Sequence, residues 1–395
     1  MIPRDYQIDL AEDAYTILSK YMLCYFACEE RTGKTLAAIL TAEKCDTVTR
    51  VLVVTTKNAL AGWNETLEAY DHKKDYTVTN YHQVHKMNKP DLLILDEAHN
   101  YISGVPKQPS IHKKMMPIAE GVPIIYLSAT PHGQGYQMLY HQFSLSSWSP
   151  WTTYKNFYAW FKVYGIASTI YVHGKELNVY TNTQEQLVRS CVDHLFITKT
   201  RKELDFKYEP VDKLHYFELS QATRDVYNEL MVDRMAELTA VTLIADTPMK
   251  LRTSLHQLEG GVAKMNDEYY VLRNTEKIDY IKATWGDSDD LVIYYNYIAE
   301  GTKLRKAFKH AEILQATSNA EGIDLVHKET IVIYSQDFSA SRHTQRRARQ
   351  AAQSRDTDIV VHYLLVKDAV SEQVYNTVSV NKTNFIDSVF NKVTI

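Results

Sequence analysis

Cysteine is scarce in this chain, long apolar runs are absent, and neither sign of charge dominates. Four cysteines in 395 residues, at positions 24, 28, 45 and 191, are too few and too scattered for a disulfide framework. Cys24 and Cys28 stand four apart with no second Cys/His pair near them in sequence. They read as small buried side chains rather than zinc ligands. Such cysteine usage fits a reducing compartment, and a cytoplasmic location is the expectation. Apolar runs such as YMLCYFAC and VPIIYLSAT fall well short of the ~20 residues of a bilayer span. The N-terminal MIPRDYQIDLAED lacks the basic-then-apolar layout of an export signal, so no membrane role is expected. A net charge of −4 excludes a chain that binds nucleic acid through overall basicity, though not one with a local basic cleft. Internal repeats and low-complexity segments are absent as well.

What is present is an ordinary globular mixture, 45% apolar and 23% charged, in a chain long enough for two or three domains. Residues 6–20 carry apolar positions at helical spacing. An apolar run at 21–27, a glycine-containing turn and the helix formers of TLAAILTAEK follow, which is strand, loop, helix. RVLVVTT (50–56), YTVTNY (76–81), DLLILDEAH (91–99) and VPIIYLSAT (122–130) read as four further strands. Short β-rich runs alternating with helices predict a mainly parallel sheet covered on both faces. The alternation stops between about 146 and 210, where the chain is aromatic and mostly helix-like. It resumes with KLHYFEL (213–219), a long helical stretch (221–245), and strands at 290–297, 311–317, 330–336 and 358–366. Tyrosine is frequent, at 28 residues, with many between 151 and 180. That segment reads either as aromatic packing of a helical subdomain or as a stacking surface for bases.

Two short stretches carry chemistry. Gly33-Lys34-Thr35 stands at a strand-to-helix junction. There a lysine can reach β/γ-phosphates, a threonine hydroxyl can serve Mg²⁺, and the first helical N–H groups favour an anion. Arg31 and Thr32 complete the tight part of the loop. Cys28 occupies the position five before Gly33 where the full phosphate-loop pattern has a glycine. In LLILDEAH an apolar strand ends in Asp96-Glu97, delivering two carboxylates to the edge of a parallel sheet where ligands bind. Asp96 suits Mg²⁺ held through water, and Glu97 suits the polarising of an attacking water. NKPD (88–91) resembles a guanine-reading motif but precedes the strand that ends in Asp96. It therefore falls at the opposite sheet edge and reads as a turn.

With these residues in place the chain resembles the superfamily-two helicases, and among them the Swi/Snf-type DNA translocases in a compact, phage-like form. PRDYQ (3–7) resembles the adenine-reading segment, with Gln7 as reader, and EERTGKT the phosphate loop with its first glycine relaxed. VVTTKNALAGW and TNYHQV resemble strand-contacting motifs, which places Lys57, Asn80 and Tyr81 at DNA. DEAHN resembles the Mg²⁺ and water motif. LSATP resembles the motif that couples hydrolysis to lobe movement, so that His99, Ser128 and Thr130 link nucleotide state to DNA grip. FITKTRKEL and LSQATRDVYNEL resemble the crossing into the second lobe. QATSNAEGIDL resembles the fifth motif, with Gly322 and Asp324 at the nucleotide and Thr317 and Ser318 at DNA. SRHTQRRARQAAQSR (341–355) resembles the arginine-finger motif.

The resemblance implies an α/β fold of two RecA-like parallel-sheet lobes with a cleft between them, plus an aromatic helical insert. The segments are 1–145 (first lobe), 146–210 (insert) and 211–395 (second lobe). It also implies an ATP hydrolase that uses ATP and Mg²⁺ to move along or remodel duplex or branched DNA without sequence preference. A monomer is expected, in the host cytoplasm if phage-encoded, with replication or recombination proteins as further partners. Five arginines lie between 342 and 355. Gln345 and Arg349 fit the family spacing, but the next slot holds Ala352. A shifted reading pairs Arg346 with Arg349, making Arg349 one finger and Arg346 the other. A solvated basic helix is the structural alternative. The stretch between Tyr297 and Ala311 has room for barely one helix, so the second lobe is abbreviated. Two rivals stand beside the motor: a nucleic-acid-binding scaffold with a weak or vestigial ATPase, and a phosphate-loop ATPase of another class. The latter is disfavoured because no LSGGQ-like signature is present.

Overall fold

The computed structural model describes residues 1–133, 135–172, 175–238, 241–265, 268–317 and 325–381. Gln134, Gly322, Asp324 and Ser318 lie outside the described residues. The chain divides into two units, Met1–Phe206 and Lys207–Ile395.

Unit 1 runs α1 (Asp5–Tyr21), β1 (Leu23–Phe26), α2 (Lys34–Lys44), β2 (Arg50–Thr55), α3 (Leu60–Ala69), β3 (Asp75–Asn80), β4 (Leu92–Asp96), α4 (His99–Ile102), α5 (Ser110–Ala119) and β5 (Ile124–Leu127). It continues with α6 (Leu139–Ser144), α7 (Phe157–Tyr164), β6 (Ser168–Val172), β7 (Lys175–Val179), α8 (Glu185–Val192) and β8 (Phe196–Ile197). Six strands form one parallel sheet in the order β3-β2-β4-β5-β1-β8. The near-continuous apolar runs follow from burial on both faces. Along β1, Leu23 and Tyr25 enter one core and Cys24 and Phe26 the other, with the period of two that a strand imposes. α1, α2 and α3 cover the Cys24 face through residues such as Leu10, Ala38 and Trp63.

The opposite face is closed largely by the aromatic segment. Trp151, Phe157, Trp160, Phe161 and Tyr164 pack with Tyr140 and Phe143 over the sheet, with Trp160 stacked on Tyr164 at 5.1 Å and edge-on to Trp151 at 5.2 Å. The aromatic excess is thus core material of unit 1. The segment also contains an antiparallel hairpin, β6–β7, where helix was expected. The two-residue β8 beside β1 is too short to show a period in sequence.

Unit 2 runs β9 (Val211–Phe217), α9 (Gln221–Asp233), β10 (Met235–Leu238), β11 (Val241–Ile244), α10 (Pro248–Glu259), β12 (Val262–Met265), β13 (Glu268–Val271) and α11 (Glu276–Trp285). After these come β14 (Leu291–Tyr295), α12 (Ile298–Ala307), β15 (Glu312–Gln315), β16 (Thr330–Ile333), α13 (Ala340–Arg347), β17 (Val360–Val366) and α14 (Val370–Tyr375). Its parallel sheet has the order β15-β14-β16-β17-β9. The single helix α12 joins β14 to β15, as the short Tyr297–Ala311 stretch requires. The helix expected across 221–245 ends at Arg234, whose φ of +62° lies in the left-handed region. Beyond it the chain forms the hairpin β10–β11, consistent with the β-branched residues of VTLI.

Trp160 is fully buried, and its indole N–H has no hydrogen-bond partner among the described residues. Trp160→Ala should destabilise unit 1 by about 3–5 kcal/mol. Trp160→Phe should cost much less, because it keeps a ring and removes an unpaired donor. Denaturant titration followed by circular dichroism checks the order of the two.

Candidate functional site

β1, β5 and β4 lie side by side, and Leu127 pairs in register with both Phe26 and Asp96. The loops that follow the three strands therefore leave the sheet at one level of its C-terminal edge. The loop after β1 turns through Arg31 (φ +67°) and Gly33 (φ +77°) into α2. Cys28 is not among the left-handed residues; it is buried and its thiol faces the Ile197 carbonyl at 3.5 Å. No glycine is needed there, since the positive φ falls at Arg31 instead. At Gly33 a glycine is required twice over. Its backbone is left-handed, and a Cβ would stand 2.2 Å from Gln7 Nε2.

Lys34 opens α2 and donates to the carbonyls of Cys28 and Glu29, both at 2.8 Å. Its ammonium thus sits within the curl of its own loop. Thr32 closes the same turn by donating to the Glu29 carbonyl at 2.8 Å. Gln7, from the start of α1, accepts from the Arg4 N–H at 3.0 Å and reaches the Gly33 carbonyl at 3.4 Å. PRDYQ and GKT, 26 residues apart, are thus in contact. Thr35 is half-buried on the first turn of α2, and its hydroxyl has no hydrogen-bond partner among the described residues.

Asp96 Oδ2 accepts from the Thr55 hydroxyl at 2.7 Å and the Trp63 indole at 2.9 Å, while Oδ1 carries no hydrogen bond among the described residues. Burial pushes this carboxyl above the usual carboxylate range, against the pull of Trp63, Thr55 and the Lys34 charge. Glu97 follows in the left-handed region at φ +52°, and its Oε2 accepts from the Ser128 hydroxyl at 3.0 Å. Ser128 Oγ also lies 3.0 Å from His99 Nδ1 and accepts from the Thr130 N–H at 3.0 Å. Because the serine proton goes to Glu97, His99 Nδ1 must donate. His99 Nε2 is then a bare acceptor, and it is buried without a partner among the described residues. His99, Ser128 and Thr130 form one hydrogen-bonded chain ending on Glu97.

The sequence gives no hint of several supports. Trp63 and Thr55 hold Asp96, and the Tyr81 hydroxyl donates to the Asp96 carbonyl at 2.7 Å. Tyr81 is 1% exposed and stacked on Tyr101 at 4.2 Å, so its ring presents no surface to an external ligand. Asn80 Oδ1 accepts from the His82 N–H at 3.0 Å, a turn-capping bond. Lys57 is exposed just after β2. The residues following β8 brace the lysine loop. Glu29 bonds the Lys199 carbonyl and the Arg201 N–H, and the Arg201 guanidinium reaches Glu30 at 3.4 Å. At the opposite edge, Asp91 of NKPD accepts from the Arg50 backbone and side chain, as a turn anchor does.

In unit 2, Arg346 is 1% exposed, donating to Asp337 at 2.5 Å and to the Ala316 carbonyl at 2.8 Å. Arg342 pairs with Asp337, and Arg347 with Asp212. Arg355 bonds the carbonyls of Val326 and Lys328. The basic stretch is therefore not a solvated helix. Arg349 is half-exposed on the turn after α13, Gln345 is buried within it, and Thr317 is exposed after β15.

No protein-family model matches the chain, and no curated protein matches it. Among solved structures, the Sulfolobus solfataricus SWI2/SNF2 ATPase core in complex with dsDNA is similar over 96% of this chain and 91% of that chain, at 14% identity and a TM-score of 0.44. Fold and edge together define a two-unit parallel α/β protein whose first unit sets a lysine-bearing loop near an Asp-Glu pair.

Burial, and next the neighbouring His132, lower the His99 pKa to about 4. The folded state then holds its proton less well than the unfolded chain. His99 contributes stability above pH ~6.5 that is lost as pH falls towards 4. The stability difference between wild type and His99→Asn should shrink by about 3 kcal/mol from pH 7 to pH 4. Parallel denaturant titrations at the two pH values measure it; an unchanged difference would place His99 in a solvated setting.

Proposed function

We propose that the chain is an ATP hydrolase stimulated by DNA, coupling turnover to movement along duplex or branched DNA. One observation carries this reading: Lys34, Asp96-Glu97, Ser128 and the Gln7–Gly33 contact share one sheet edge. Lys34 would exchange two loop carbonyls for phosphate oxygens. Gln7, seated against the loop glycine, would read an adenine. Glu97 would take a proton from an attacking water, and Ser128 donates to its Oε2. The residues also fit a divalent cation. Among the described residues Thr35 Oγ1 and Asp96 Oδ1 are oxygens without hydrogen bonds, and Asp96 is fixed through its other oxygen. Mg²⁺ there would offset phosphate charge.

Arg349 is the candidate guanidinium for the γ-phosphate, a contribution of about 10³–10⁵ in rate where such fingers act. Arg346 could join it only by leaving Asp337. Gly322 and Asp324 remain candidate nucleotide contacts, and Gln345 a coupling residue. Lys57, Asn80, Thr317 and Ser318 are the candidate DNA contacts. Binding through phosphates should weaken with salt and show little sequence preference. Tyr81 fits a strut beneath Asp96 better than a DNA contact.

Lys34→Ala should abolish ATP turnover while leaving the circular dichroism spectrum intact, and the wild-type rate should rise more with duplex or forked DNA than with RNA. Wild-type turnover by Lys34→Ala would remove the site. The burial of Arg346 favours one alternative, a DNA-binding scaffold with a weak ATPase. Duplex binding without any rise in turnover would select it.

A further inference from the structure

A cavity of about 600 Å³ opens in unit 1 between the segment preceding α5, helix α6 and the start of α7. Its size lies within the ~300–1,000 Å³ of small-molecule sites, and none of the residues at the phosphate-loop edge lines it. Its wall is a run of rings. Tyr140 lies 5.1 Å from His141, His141 6.0 Å from Phe157, and Phe157 6.1 Å from Tyr158, centroid to centroid. Tyr140 and Phe157 are buried, whereas Tyr158 is 48% exposed. Tyr158 is therefore the ring that an incoming ligand can cover.

Hydrogen bonding fixes the protons of the two histidines. Gln108 Nε2, which can only donate, lies 2.8 Å from His112 Nδ1. The His112 proton is then on Nε2, which donates to Ser144 Oγ at 3.2 Å, and Ser144 donates onward to the His141 carbonyl at 3.1 Å. The Gly104 carbonyl, which can only accept, lies 2.7 Å from His141 Nδ1. His141 Nε2 is therefore a lone-pair acceptor. It has no hydrogen-bond partner among the described residues, on a side chain 4% exposed that lines the cavity. The cavity thus offers an acceptor to a ligand that brings an N–H to it. Lys107 and Lys155 also line the cavity and are exposed. Neither ammonium has a hydrogen-bond partner among the described residues.

We propose that this cavity binds a nucleotide, with its base against Tyr158, a base N–H on His141 Nε2, and its phosphate at Lys107 and Lys155. The nucleotide is either free or part of a single strand. Stacking tolerates any base, while the bare imidazole nitrogen favours bases with an amino group on the inward edge. The assignment is independent of the ATP site. The test uses the full chain carrying Lys34→Ala, so that binding at the phosphate loop does not mask the cavity. Calorimetric titrations are made with AMP, with a short single-stranded oligodeoxynucleotide, and with N-acetyltryptophanamide. Adding Tyr158→Ala and Lys155→Ala should weaken the nucleotide or the oligonucleotide at least about tenfold, with the spectrum of the folded chain retained. Binding of AMP identifies a free ligand, and binding of the oligonucleotide alone identifies a base within a strand. Three results overturn the proposal: no binding of either at millimolar concentration, binding indifferent to both substitutions, or N-acetyltryptophanamide binding as tightly as AMP.

Discussion

One backbone residue sets the geometry of the candidate site. Leu127 is flanked in register by Phe26 on one side and Asp96 on the other, so three strands end at the same height. The ladder then extends one step further. The Ser128 N–H donates to the Phe26 carbonyl at 3.0 Å, and the Glu97 N–H to the Leu127 carbonyl at 2.8 Å. These bonds fix the first residue of each loop before any side chain takes part. A one-residue slip of β5 would turn Ser128 to the other face and break its bond to Glu97, because side chains alternate along a strand.

The edge is also cross-braced by nearly every strand of the sheet. β2 contributes Thr55, and the turn after β3 contributes Tyr81; both hold Asp96. The stretch after β8 holds the lysine loop through Lys199 and Arg201. A carboxylate withdrawn from water needs such donors, since an unpaired charge in the interior is far more costly than an unpaired hydroxyl. The same withdrawal strengthens the interaction of Asp96 with any cation placed at its open oxygen. Rigid support and a vacant lone pair on one carboxylate are what a charge-binding edge requires.

Much of this was legible in the sequence. β2, β4 and β5 are short β-branched and leucine-rich runs between turns, and doubly covered parallel strands can hardly read otherwise. Asp96 and Glu97 could be placed because they end and follow such a run, and Lys34 because it opens the helix after the loop that leaves β1. What could not be read depends on neighbours supplied by folding. The two residues of β8 have no period of their own. Tyr81 and Asn80 looked alike as polar residues at the end of the strand read at 76–81, yet one is sealed under Tyr101 and the other caps a turn. The aromatic run at 151–164 looked like a separate layer because its period is helical. Its partners, Tyr140 and Phe143, lie on a helix that sequence assigns to the preceding segment. The conflict over Cys28 resolves in the same way, since only the dihedral angles show that the left-handed turn falls at Arg31.

Unit 2 organises its own sheet edge around the opposite charge. The Arg346 guanidinium bonds the Ala316 carbonyl just after β15 and Asp337 beyond β16, and it lies 5.8 Å above the Tyr294 ring of β14. One buried cation thus ties three strand ends to α13. A pair this deep gains little over an apolar contact in stability, because both charges lose their hydration. The two terminal nitrogens of the Arg346 guanidinium are bonded, while its Nε is buried with no hydrogen-bond partner among the described residues. The stretch around α13 carries five arginines. Asp337, Asp212 and the carbonyls of Val326 and Lys328 take up four of them.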